Sequence, residues 1–145
     1  MNESSRQPVV VSVLNRLLRI LCRSLPMYLE SAKPWSSGED RAAIAALARL
    51  TADGRLLAQR VAEAILRHGG QPEPGPFPSE FAALNDVGLQ FLLRRVVDSL
   101  QGDVEVVEHC VDELAVDAEA GALAEEVLGN LQGHVDLLAG VASVG

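Results

Sequence analysis

The chain carries three histidines, two cysteines and twenty carboxylates, and their placement sets what chemistry it could do. His134 lies one helical turn from both Leu131 and Leu138, so it faces or borders an apolar core. Two readings follow: a buried, neutral, hydrogen-bonded side chain, or a metal ligand, with the first favoured. His68 and His109 fall near a helix end and a polar face, and both are expected at the surface. His68 in a last helical turn would favour the helix dipole. Cys22 and Cys110 sit in apolar stretches without a Cys-x-x-Cys pair, which predicts buried free thiols and is compatible with a reducing compartment. Glu30 and the Glu125-Glu126 pair read as solvated, although Glu126 and Asn130, one turn apart, could approach a cation. Glu105, Glu108, Asp112 and Glu113 form an acidic run that reads as a solvated or subunit-facing surface. No nucleophile–histidine–acid constellation, P-loop or zinc pattern is present.

Four helical segments must position these groups. Apolar residues at Leu14, Leu17, Leu18, Leu21, Leu25, Tyr28 and Leu29 repeat with helical spacing after Pro8, which suits a first helical position. Pro26 falls inside that run and predicts a kink. Ser36 with Glu39 forms a capping-box signature for the second helix. Its stripe is Ala43, Leu47, Leu50, Gly54, Leu57, Val61, Ala64 and Ile65, and Gly69-Gly70 with the following prolines stops it after Arg67. A long connection carrying Phe77 and Phe81 leads to a third helix capped by Asn85 or Asp86. The third seam reads Leu89, Leu93, Val96 or Val97, Leu100, Val104, Val107, Val111 and Leu114. After a short turn the fourth helix runs from about Ala118 to Val141, with Leu123, Val127, Leu128, Leu131, Val135 and Leu138 inward.

Long helices joined by short, long and short connections predict an all-α four-helix bundle with one crossover between helices 2 and 3 and no fifth helix. Residues 1–7 are expected to be disordered and 8–145 to form one domain. A core poor in aromatics and rich in Leu, Val and Ala suits helix-on-helix packing. The net charge of −8 argues against a nucleic-acid-binding surface. Arg16, Arg19 and Arg23 interrupt the first apolar run, which therefore reads as amphipathic and not as a membrane span. No signal-peptide pattern is seen, and a cytoplasmic location is expected.

Three segments resemble a known family. Val13–Lys33, with its leucine-asparagine-basic-leucine-leucine opening, is similar to the first helix of bacterioferritins. VAEAILRHGGQP, Val61–Pro72, resembles the end of the second helix of bacterioferritins and miniferritins, and LAEEVLGNLQGHVDLL, Leu123–Leu138, resembles the fourth. The resemblance spans residues 9–143 and implies a ferritin-like bundle. It also implies ferroxidase chemistry, in which carboxylates and Glu-x-x-His motifs hold two irons within the bundle.

Carried over residue by residue, that implied site is degenerate. The first-helix glutamate falls at Leu21, and the second-helix Glu-x-x-His at Gly54 and Leu57. The fourth-helix Glu-x-x-His falls at Leu131 and His134, and the third-helix carboxylate at Val97 or Asp98. The candidates for any metal are therefore His134 and Asp98, and no catalytic or cofactor-binding residue is expected. The miniferritin intersubunit pair falls at Gln59 and Glu63, and helix 1 has no histidine. The haem-binding methionine position is near Arg55, so no haem is expected. The expectation is a non-catalytic ferritin-like protein lacking a ferroxidase centre, acting through self-assembly, as a dimer or larger, or through a protein partner. The alternative is an iron-binding relative with a remodelled site, iron being the metal the resemblance would supply. An unrelated small-molecule-binding bundle would instead need an internal cavity near Gly54.

Overall fold

The computed structural model describes residues 3–23, 41–75 and 89–144. Four helices account for nearly all of them: α1 (Glu3–Arg23), α2 (Arg41–Arg67), α3 (Leu89–Leu114) and α4 (Ala118–Val144). Pro8 lies inside α1, and not at its first position. The Pro26 kink, the Ser36–Glu39 capping box, Glu30, Phe77, Phe81 and the Asn85 or Asp86 cap all lie outside the described residues.

The helices pack as a ring in the order α1, α2, α4, α3. Arg67 of α2 reaches Glu119 at the start of α4, and Arg60 reaches Glu126, so these two helices are antiparallel. Arg16 of α1 meets Glu113 at the end of α3, so those two are antiparallel as well. α3 and α4 are joined by a tight turn. It follows that α2 and α3 run parallel on opposite corners, which is the arrangement a long crossover produces. The inward stripe of α2 expected from spacing is buried throughout, from Ala43 to Ile65.

α2 ends in a Schellman motif. Gly70 N–H donates to Ile65 O at 2.9 Å, Gly69 N–H donates to Leu66 O at 3.1 Å, and Gly69 has φ of 85°. A side chain at Gly70 would collide with Val11 of α1. The second glycine is therefore a close-approach residue, which lets the end of α2 press against α1.

His68 is a correction to the surface role expected of it. Its side chain is 7% exposed. Nδ1 lies 2.7 Å from Ala64 O and Nε2 lies 3.0 Å from Asp117 Oδ2. Both neighbours are acceptors, so both bonds form together only when both ring nitrogens carry protons. Burial works against that charge, but the hydrogen bonds to Ala64 and Asp117, with the Asp117 and Glu119 carboxylates nearby, outweigh it and raise the imidazole pKa. Asp117 uses its other oxygen to accept the Ala120 N–H at 2.9 Å, which caps α4. That bond, opposed by burial and helped by His68, holds the Asp117 carboxyl below its ordinary value. The His68 ring thus ties the stop of α2 to the cap of α4.

The buried seam of α3 is Leu93, Val96, Leu100, Val107, Cys110 and Leu114, each at most 1% exposed. Alternating steps of three and four also include position 103, which is Asp103. Its Oδ2 is sealed from water and has no hydrogen-bond partner among the described residues. Burial pushes its carboxyl up to about 7.

Two outcomes follow for stability. His68 has a raised folded pKa, so its contribution is complete below the unfolded value of about 6.5 and is lost as pH rises through the folded value. Asp117 has a depressed one, so its share is complete above about 4 and is lost on acidification. His68→Ala should therefore cost about 1–3 kcal/mol near pH 5–6 and less in alkali, read from urea unfolding at each pH. Asp103 acts in the same direction as His68 and opposite to Asp117, because the folded carboxyl keeps a proton that the unfolded one has lost. The wild-type chain should lose ~2–4 kcal/mol between about pH 4 and pH 7, and Asp103→Asn should flatten that loss.

Candidate functional site

The residue that both the spacing and the resemblance single out is His134, and α4 delivers it to the core at 5% exposure. Its companion in the structure is Asp53 of α2. His134 Nε2 lies 2.7 Å from Asp53 Oδ2, and Asn130 Nδ2 donates to the same oxygen at 3.2 Å. Asn130 and His134 are one turn apart on α4, so both reach the one carboxylate from the same helix edge. The hydrogen bonds from His134 and then Asn130 hold the Asp53 carboxyl below its ordinary value, against its desolvation. An ionised Asp53 can only accept, so His134 must carry its proton on Nε2. That nitrogen then has no lone pair for a metal.

Asp53 is at the bundle surface, with a side chain 37% exposed. Beside it runs an open groove of about 170 Å³ between α2 and α4, lined by Asp53, Leu56, Leu57, Arg60, Glu126 and Asn130. Glu126 is occupied there by both guanidinium nitrogens of Arg60, at 2.6 and 2.8 Å. The approach of Glu126 and Asn130 to a common cation, considered from their spacing, is therefore divided between two partners: Glu126 goes to Arg60 and Asn130 to Asp53.

The other carried-over positions are apolar or outward. Leu21, Leu57 and Leu131 are 4%, 6% and 4% exposed. Gly54 is buried in the α2 stripe. On α3, Val97 is half-buried and packs against the core, whereas Asp98 is exposed. His134 and Asp98 thus sit in different environments, and the hydrogen bond of His134 goes to Asp53. Among the described residues, no group of three or more His, Cys, Asp and Glu side chains is placed to hold a metal ion. Two dications would need several anionic ligands between and around them, and among the described residues the carried-over positions bring one ligand side chain, His134, to the interior.

The remaining candidates are spread over the outside. Gln59 donates to Glu63 at 3.3 Å on the exposed side of α2, and Arg55 is exposed. His109 is exposed, as its spacing suggests. Cys110 is buried and Cys22 half-buried, both as free thiols. Burial pushes both thiol pKa values up, the reverse of what a reactive thiolate requires. Among the described residues no helix is long and apolar enough to cross a membrane.

Asp53 was not legible as the histidine's partner. The resemblance points to Gly54, and Asp53 is its neighbour, turned by about 100° toward α4. The available signal was an acid one residue before an expected glutamate.

No family model matches the chain, and no curated protein matches it by sequence. Among solved structures, the crystal structure of the Desulfovibrio desulfuricans bacterioferritin, determined with its di-iron site in different catalytic states, is similar to it. The TM-score is 0.79 at 18% identity, over 99% of this chain and 83% of that one. At that identity the likeness concerns the fold, which is the bacterioferritin four-helix bundle.

Proposed function

We propose that the chain is a ferritin-like protein that lacks a ferroxidase centre and acts through self-assembly or partner binding. The observation that carries this reading is the chemistry at the carried-over positions. Leu21, Gly54, Leu57 and Leu131 occupy the interior, and the histidine that remains gives its Nε2 proton to Asp53. Converting ligand positions to leucine replaces charges that need a metal with apolar area that stabilises the bundle by itself, at roughly 25 cal/mol per Å² buried. The neighbouring bacterioferritin has a di-iron site; here the same fold would be kept for its surfaces. Leu56 and Leu66 on the outer side of α2, 64% and 56% exposed, are suited to a homo-oligomeric or partner contact.

One observation favours a second reading, an iron-binding relative with a remodelled site. Asp53 is held ionised next to His134 at the mouth of an open groove. A metal there would have to displace the Nε2 proton or take the outer Asp53 oxygen.

Aerobic addition of ferrous ion separates the two. The first reading predicts oxidation at the rate seen in buffer alone and no iron retained at stoichiometry after desalting. Saturable, protein-dependent oxidation overturns it. Should iron be retained without oxidation, the second reading requires that His134→Ala abolish the retention; unchanged uptake in that variant removes it.

A further inference from the structure

The bundle is split by charge into two layers. α1 and α2, which are neighbours in the ring, carry nine arginines and three acids. α3 and α4 carry two arginines and ten acids. Three ion pairs, Arg16–Glu113, Arg60–Glu126 and Arg67–Glu119, stitch one layer to the other. Setting those six residues aside, with Asp103 on the inward seam, leaves five arginines against two acids among the described side chains of one layer and six acids against two arginines among those of the other. The molecule is therefore basic on one side and acidic on the opposite side.

Each side also offers shape and apolar area. Between α3 and α4 lies an open groove of about 270 Å³, in which Glu105, Glu108 and Asp136 surround a floor that includes Val104 and Val135. On the outer side of α2, Arg41, Arg49 and Leu56 are exposed, with Ala45, Ala48 and Ala52 between them. Arg49 and Leu56 are seven residues apart and so lie on one stripe. Arg49 also acts on Asp53 in its own helix, an interaction through space that leaves its side chain exposed. An arginine-flanked apolar ridge faces outward from one layer, and a carboxylate-rimmed apolar groove faces outward from the other.

We propose that two copies of this chain associate heterologously, the α2 ridge of one copy seating in the α3–α4 groove of the next. The occupant is a second copy because the charge complementarity is contained within one sequence. A twofold contact through α1 and α2 would oppose two basic faces. A head-to-tail contact opposes a basic face and an acidic one. Repeated, such a contact closes into a ring or runs on as a chain, according to the rotation between copies. The inference rests on the self-assembly reading proposed above and specifies the surfaces that carry it.

The test is sedimentation equilibrium of the full chain and of two neutralised variants, Glu105→Gln/Glu108→Gln/Asp136→Asn and Arg41→Gln/Arg49→Gln, with circular dichroism confirming that each is folded. The wild type should exceed monomer mass at low ionic strength and dissociate as salt rises from about 0.05 to about 0.5 M, where screening shortens to a few ångströms. Each variant alone should associate at least about tenfold more weakly. Mixed, the two should form a complex that stops at two chains, because each keeps one working face. A wild-type oligomer that ignores the groove substitutions, or a mixture that stays apart, overturns the head-to-tail contact and leaves self-assembly standing. A wild-type chain that is monomeric at every salt concentration overturns both.

Discussion

The register between α2 and α4 is set where α2 stops. Gly69 takes the left-handed conformation, Gly70 lets the turn close on Val11, and His68 reaches across to the residue that caps α4. Sliding α2 by one turn would break the His68–Asp117 bond and the Arg67–Glu119 and Arg60–Glu126 pairs together. The three contacts are individually modest, two of them exposed ion pairs worth at most about 1 kcal/mol. Their weight lies in agreeing on one alignment. That alignment carries Asp53 to the level of His134, and the interior chemistry follows from it.

In that interior, a buried imidazole needs a partner, and the partner could be a metal or a carboxylate. Leu21, Leu57 and Leu131 are buried side chains that offer no ligand atom. Asp53 supplies a hydrogen-bond acceptor from the edge of α2 instead. The histidine is thereby satisfied without an ion. Asp103 shows the opposite condition in the same core. Its oxygen has no partner among the described residues, so the cheaper state of the group at mildly acid pH is the protonated one.

Much of this was legible in the chain itself. The α2 stripe and its double-glycine stop were readable because periodicity and turn chemistry are local properties. The crossover was readable because a long connection can span the bundle and set two helices parallel. The pairwise chemistry was not. His68 looked like a surface residue because nothing in its own turn announces Asp117, which is 49 residues away. Asp53 was hidden by its neighbour Gly54, on which the resemblance falls. The α3 seam was read through Val104, which hid the buried acid at Asp103; the strict three–four spacing from Leu100 to Val107 would have exposed it. The charge split between the α1–α2 and α3–α4 layers was half visible, since the arginines of α1 and the acids after Asp98 stand out. Its meaning depends on which helices are neighbours, and that is a property of the packed bundle.

The central claim is that the bundle holds its interior together without metal. An anaerobic cobalt titration followed by visible absorption tests it most directly, because cobalt in a low-symmetry protein site absorbs far more strongly than the hydrated ion. The account predicts a spectrum that grows linearly as free cobalt does, with no break. Intense bands that saturate at one or two cobalt ions per chain, and that vanish in His134→Ala, would contradict it.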